Sequence, residues 1–225
     1  MRDFAISDHP RVQAQLDRLG ALSLPQGRIG LETIHALLDR LGDDLCWIID
    51  PVDGTNNFAS GKGPFGVLIA LSEKGVTKAG WIYDPLSGRL CHAHHGHGAF
   101  IGTEKVAART SGQQPPIAAV SLVYMDQGRR EAMRQHIAPH YTLVDIPRCA
   151  AEQYPRLALG ENDISSFKRT LAWDHAAGVL WLNEAGGKAA RLDGSAYRVD
   201  QHDAPGLVGA SSPAIWDQFV GRVLG

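Results

Sequence analysis

Nine residues constrain this chain more than any others: Asp50-Pro51-Val52-Asp53-Gly54-Thr55-Asn56-Asn57-Phe58. They follow an apolar run from Leu45 to Ile49, short and rich in β-branched and aromatic residues, which predicts a buried strand. The strand is expected to stop at two carboxylates, Asp50 and Asp53, with Pro51 between them. Pro51 fixes its own φ and disfavours the helical region for Asp50, so the backbone must turn where the acids sit. Gly54 permits a close backbone approach or a positive φ. Acids at the carboxyl end of a strand, followed by free N–H groups and a hydroxyl, suit a divalent cation and a phosphate together. A plain surface turn uses the same residue types, but it does not need an apolar strand running into a pair of acids.

The same nine residues resemble the signature Asp-Pro-x-Asp-Gly-Thr-x-x-Phe of the inositol monophosphatase-like family of metal-dependent phosphatases. A second signature of that family is similar to Trp173-Asp174-His175-Ala176-Ala177-Gly178 followed by Glu184-Ala185-Gly186-Gly187. The two occur in the family's order, and the resemblance covers roughly residues 30 to 225. It implies an α/β fold of the sugar-phosphatase type, with alternating helix and sheet layers. The implied organisation is one domain over residues 1–225, with a shortened front at 1–30, a metal-motif and antiparallel-sheet half at 31–110 and an α/β half at 111–225. The haloacid-dehalogenase signature, Asp-x-Asp-Gly-Thr, does not fit. Here two residues separate the acids, and on an extended backbone one extra residue redirects the second side chain.

The resemblance also implies a site. Asp50, the Val52 carbonyl and Asp53 would hold the metal ions, with Asp174 closing the second position, and hard oxygen donors point to Mg²⁺. Thr55 would orient the attacking water, and the amides of Gly54 and Thr55 would cradle the phosphate. The loop containing Arg148 and Ala150 would face the substrate's alcohol half. Arg148 either pairs with an anionic substituent or is an exposed surface arginine. Gly30-Leu31-Glu32 falls where the family has Gly-Glu-Glu, so Leu31 takes the place of the metal-binding glutamate. Two readings of Glu32 stay open. It supplies the missing ligand and helps orient the water, or it is a first-turn helix acid favoured by the dipole. Phe167 stands where inositol-preferring relatives carry a glutamate, and Lys168-Arg169 follow it. That departure suits a nucleotide or a second phosphate better than an inositol. The implied activity is Mg²⁺-dependent hydrolysis of a small phosphate monoester (inositol, sugar or nucleotide phosphate). The alternative is a catalytically impaired relative that binds metal and phosphate or serves in assembly.

Composition narrows the partners. A formal net charge of −2 gives no basic excess for nucleic acid. No apolar run approaches a membrane span, and Met1-Arg2-Asp3-Phe4 does not begin a signal-peptide pattern, so a cytoplasmic location is expected. Cys46, Cys91 and Cys149 are too few and too scattered for a disulfide framework and read as small core residues. His92, His94, His95 and His97 alternate as a zinc or nickel site would, but no acid or cysteine is spaced to complete it, so solvated histidines are expected. The segment from Pro10 to Leu19 predicts an amphipathic helix. Its Val12, Leu16 and Leu19 suggest a homodimer contact within residues 1–30. Strands are expected over Phe65–Leu71, Ala79–Asp84, Arg89–His94, Gly98–Ile101, Ile117–Tyr124, Tyr141–Ile146, Asp163–Lys168, Lys188–Asp193 and Leu207–Ala210. Helices are expected over Gln127–Ala138, over a stretch entered through Pro147-Arg148-Cys149-Ala150-Ala151-Glu152 and running to about Leu159, over Ala176–Ala185, and over Pro213–Leu224.

Overall fold

Alternation along the strands decides which face of the first sheet is dry, because successive side chains point to opposite faces. A computed structural model describes residues 40–42, 45–120, 127–201, 204 and 206–224, all within the unit spanning residues 38–225. Strands β1 (Leu45–Asp53), β2 (Gly66–Glu73), β3 (Val76–Asp84), β4 (Arg89–His94), β5 (Gly98–Ile101) and β6 (Glu104–Val106) form an antiparallel meander in chain order. Its inner face carries Ile48, Leu68, Ala70, Ile82, Cys91, Ala93 and Ala99, all buried.

The outer face of β1 corrects the expectation of a buried strand. Leu45, Trp47 and Ile49 are 65%, 54% and 45% exposed. β1 is the sheet's edge strand, with one face on the core and the other open, and Trp47 lies 6.0 Å from Trp81 on that open side. Nor does the strand stop at Ile49. It runs on through Asp53, with the register slipping between Asp50 and Asp53 as one extra residue is accommodated. That is a β-bulge, and an edge bulge is a place where Pro51, which has no N–H to donate, is tolerated.

The second sheet contains β7 (Ile117–Val120), β8 (Thr142–Val144), β9 (Ile164–Phe167), β10 (Lys188–Arg191) and β11 (Leu207–Ala210). Its order is β10-β11-β9-β7-β8, with β7 parallel to both its neighbours. The helices are α1 (Thr55–Ala59), α2 (Gln127–Ile137), α3 (Ala150–Ala158), α4 (Ala172–Glu184) and α5 (Pro213–Leu224). Helices α3 and α4 lie between the sheets, while α5 packs on β9 and β11 and meets α2. Alternating sheet and helix layers result, as the resemblance implies. Several boundaries are shorter than expected. The strand expected over Tyr141–Ile146 covers Thr142–Val144, while the one expected over Ile117–Tyr124 is described over Ile117–Val120, residues 121–126 lying outside the described residues. β6 and α1 were not anticipated. The helix at Pro10–Leu19, the dimer contact assigned to residues 1–30, and Leu31 and Glu32 also lie outside the described residues.

Helix α4 is apolar all round because sheets cover it on two sides. Two glycines permit the fit. A Cβ on Gly80 of β3 would stand 2.8 Å from the Ala177 Cα, so the helix rests almost on bare backbone. A Cβ on Gly178 would fall 2.0 Å from the Tyr154 ring, which crosses the helix at that point. At the far end of α4, Glu184 accepts hydrogen bonds from the amides of Gly96 (2.6 Å) and Gly98 (2.8 Å). An acid does therefore reach the histidine hairpin, contrary to expectation, but it binds amides. The His92 ring stacks on Phe100 and pairs with the Gly102 carbonyl at 2.9 Å. Among the described residues these histidines enter no group of three metal-ligating atoms, and no helix is long and apolar enough to cross a membrane.

Overpacking at the Tyr154 crossing tests this arrangement. Gly178→Ala is expected to destabilise the fold by about 1–3 kcal/mol, read as a lowered urea midpoint with an unchanged m-value. An unaltered midpoint would mean that the ring does not cross there.

Candidate active site

The bulge in β1 orders the first acid. With Pro51 unable to donate, the chain turns so that the Val52 amide donates to Asp50 Oδ1 at 3.0 Å. The Thr55 hydroxyl donates to the Val52 carbonyl at 2.9 Å, closing the turn and leaving the hydroxyl's lone pairs open to a donor such as water. Gly54 sits at φ +78°, and a Cβ there would lie 2.8 Å from the Pro64 carbonyl and 3.2 Å from the Cys149 Cβ. Both conformation and space therefore require glycine. Asn57 completes the motif by donating to the carbonyls of Pro64 (2.8 Å) and Pro147 (3.0 Å), pinning two loops at once.

Asp53 is buried, and α3 supplies its partners. The Ala151 amide donates to Oδ2 at 2.7 Å, and the Cys149 thiol lies 3.1 Å from the same oxygen. Gly66 makes this approach possible, since a Cβ there would stand 2.6 Å from the Ala151 Cβ. Burial, reinforced by the Asp53 charge, drives the Cys149 pKa well up, so this thiol is a hydrogen-bond donor and not a nucleophile. Burial likewise pushes Cys91 up to about 12. The core reading of both cysteines holds.

Asp174 arrives on α4. The helix begins at Ala172, with Leu171 as its N-cap, so Asp174 lies inside the first turn and does not cap it. His175 anchors that turn. Its Nε2 donates to the Arg169 carbonyl at 3.0 Å, which leaves Nδ1 to accept from the Tyr154 hydroxyl at 2.8 Å. Burial depresses the imidazole to about 4, so it is neutral. Arg169 places a guanidinium nitrogen 3.5 Å from Asp174 Oδ2.

These elements bring one oxygen each from Asp50, Asp53 and Asp174 within 4.8 Å of one another. Each carboxyl is raised, first by burial. For Asp53, the Ala151 and Cys149 hydrogen bonds oppose the rise and the Asp50 charge adds to it. Asp174 is pushed up to about 7 by burial and then by the Asp53 charge, with Arg169 opposing. Three acids this close, with one cation 3.5 Å from one of them, are short of positive charge. Their hard oxygens fit a divalent cation such as Mg²⁺ or Ca²⁺.

The triad floors an open cavity of about 650 Å³. Gly54, Thr55, Arg148, Ala150, Phe167, Lys168 and Arg169 also line it. Seven of the nine residues anticipated for the site therefore meet at one cavity: Asp50, Asp53, Gly54, Thr55, Arg148, Ala150 and Asp174. The Val52 carbonyl lies just behind, bonded to Thr55, and Glu32 lies outside the described residues. Sequence reasoning missed Asn57, the Ala151 amide, the Cys149 thiol as a donor to Asp53 and Arg169 as a partner of Asp174. Only Asn57 carried a local signal, its place inside the motif.

The model of the inositol monophosphatase family matches residues 14–220. An inositol-1-monophosphatase of Bacillus subtilis is 32% identical over 170 residues, which are 74% of this chain and 62% of that protein. The Nus factor SuhB of Pasteurella multocida is 31% identical over 193 residues, covering 83% of this chain and 70% of that protein. Among solved structures, the extragenic suppressor protein suhB from Bartonella henselae superposes with a TM-score of 0.73 at 23% identity, covering 94% and 81% of the two chains. At that identity the likeness is one of fold. The chain spans 62% and 63% of the length of the Bacillus subtilis and Caulobacter vibrioides relatives it matches.

The raised acids give a pH dependence with a definite sign. The folded protein holds a proton on Asp174 that the unfolded chain releases at its ordinary value of 3.8. The associated stability is full below that value and is lost as pH rises to about 7. Metal-free protein is expected to lose several degrees of Tm over this window by calorimetry. Asp174→Asn should flatten the slope, and millimolar Mg²⁺ should restore Tm at pH 7. A slope that survives Asp174→Asn would place the proton elsewhere.

Proposed function

The chain belongs to the inositol monophosphatase family, and we propose that it hydrolyses a small phosphate monoester with divalent cations held by Asp50, Asp53 and Asp174. One observation carries this reading: acids from β1 and α4, 121 to 124 residues apart in the chain, converge within 4.8 Å at the floor of an open cavity. The named activities of several relatives, inositol-1-monophosphatase and histidinol-phosphatase among them, are hydrolyses of such esters.

A monoester dianion resists attack by water because both its charge and the departing alkoxide are unfavourable. Bound cations supply the Lewis acidity that offsets this charge and acidifies water. The chain's own residues do the positioning. Asp50, Asp53 and Asp174 present hard oxygens suited to Mg²⁺, and the Val52 carbonyl stands by as a further donor. The amides of Gly54 and Thr55 orient the phosphate. With its proton committed to Val52, the Thr55 hydroxyl accepts a hydrogen bond from the attacking water and aims a lone pair at phosphorus. Arg148 and Ala150 meet the alcohol half, and Glu32 is assigned to the same water as Thr55. With its raised pKa and its bond to Asp53, Cys149 serves as a donor, and no covalent intermediate is needed.

The experiment is Mg²⁺-dependent phosphate release from a panel of polyol, sugar and nucleoside monophosphates. Turnover of at least one ester is expected, abolished by chelation, and Asp53→Asn or Asp174→Asn should lower kcat by about two to three orders of magnitude. Wild type indistinguishable from Asp53→Asn on every ester would replace the enzyme with a domain that binds metal and phosphate without turnover, as Leu31 in the glutamate position would allow.

A further inference from the structure

Arg169 stands at the cavity wall with a fixed base and a loose tip. Its carbonyl accepts from His175 Nε2 at 3.0 Å, and the His175 ring is itself locked by the Tyr154 hydroxyl at 2.8 Å. The next residue is tied more firmly. Arg191 donates to the Thr170 hydroxyl oxygen at 2.7 Å, and that hydroxyl donates to the Ala204 carbonyl at 3.0 Å. The Tyr197 hydroxyl donates to the Thr170 carbonyl at 3.1 Å. Thr170, His175, Arg191 and Tyr197 are all buried, so the backbone that carries Arg169 is anchored in the core.

The side chain is not anchored in that way. It is 61% exposed, and among the described residues its guanidinium has one partner, Asp174 Oδ2, at 3.5 Å. That distance is an ion pair beyond ordinary hydrogen-bond length, and exposed pairs of this kind are weak. Both residues line the cavity that the three acids floor. A divalent cation on Asp50, Asp53 and Asp174 answers the same negative charge as the guanidinium does, and it repels the guanidinium. A phosphate dianion over that cation presents paired acceptor oxygens in the same cavity, which suit the forked donors of an arginine.

We propose that Arg169 changes partners as the site is loaded. It pairs with Asp174 until a divalent cation takes that carboxylate, and it then binds the phosphoryl group. Metal and arginine compete for one acid. Metal and phosphate assist one another, because the first ligand frees the side chain that grips the second. By linkage, phosphate strengthens metal binding by the same factor. The favoured order is metal before ester. This inference rests on the phosphatase reading of the acid triad, but both of its contacts are open to measurement by binding alone.

Calorimetry tests it without turnover. Mg²⁺ is titrated into metal-free protein, and inorganic phosphate into protein saturated with Mg²⁺, for wild type, Arg169→Ala and Arg169→Lys. Both variants keep the carbonyl that His175 holds, so the loop is expected to stay in place. Arg169→Ala is expected to bind Mg²⁺ about three- to tenfold more tightly and phosphate about tenfold more weakly. Arg169→Lys keeps the charge and should return Mg²⁺ affinity to near wild type, with part of the phosphate affinity. An arginine that merely props Asp174 would instead lose affinity for both ligands when removed. Unchanged or weaker Mg²⁺ binding in Arg169→Ala overturns the inference, and so does phosphate binding equal to wild type. Ester hydrolysis by wild type beside either of those results leaves the phosphatase reading standing. The expected pair of shifts with no ester hydrolysed upholds the exchange of partners and removes the phosphatase reading. Absence of Mg²⁺ binding in wild type and variants alike overturns both.

Discussion

The near-contact of α4 with bare backbone at Gly80 is the constraint from which the site follows. The Gly80 position admits no Cβ against Ala177, so the helix axis is held close to β3. Three residues upstream of Ala177, Asp174 therefore comes within reach of the bulge in β1. The acids repel one another, and packing has to outweigh that. Helix α4 buries Val179, Leu180, Trp181 and Leu182 among others, at about 1.5–3 kcal/mol for each large apolar side chain. The Trp181 indole adds a hydrogen bond to the Phe100 carbonyl at 3.0 Å. The site is thus assembled by the core and not by its own contacts.

A similar division of labour holds Asp53. Its partners come from α3, whose Glu152 binds Arg89 of β4 at 2.6 Å and Arg156 at 2.8 Å. This charged cluster is partly exposed and contributes modestly to stability. Its geometric effect is larger, since it fixes the helix whose Ala151 amide must meet a carboxylate. The loop before α4 is braced separately. Arg191, buried, donates to the Thr170 hydroxyl and the Ala204 carbonyl at 2.7 Å each and to the Gln201 carbonyl at 3.0 Å. Thr170 adjoins Arg169, so a structural arginine sets where the Asp174 counter-charge can stand.

How far the sequence could be read depended on the range of the interactions involved. Residues whose role is local, such as the Asp50 and Asp53 pair, Gly54 and the apolar helix behind Asp174, were visible because motif and periodicity are local signals. The passage of β1 through its own acids was not. A bulge shows only in the register against β2, and Pro51 looked like a terminator. The open outer face of β1 was hidden for a related reason: Leu45, Trp47 and Ile49 have the composition of a buried strand, and edge position is a property of the sheet. Asp174 was found, but its helix was started too late, because the first turn is secured by His175 bonding back to Arg169 and across to Tyr154. The Ala151 amide and the Cys149 thiol reach Asp53 across 98 and 96 residues, and no local pattern marks such donors.

Glu184 gives helix α4 a second obligation, at the end opposite Asp174. Each of its carboxylate oxygens is engaged by one amide of the histidine hairpin. Sliding the helix along its axis by a single residue, about 1.5 Å, would tear that clasp and carry Asp174 away from its companions in the same movement. Axial travel of α4 is thus foreclosed as a way of admitting ligand.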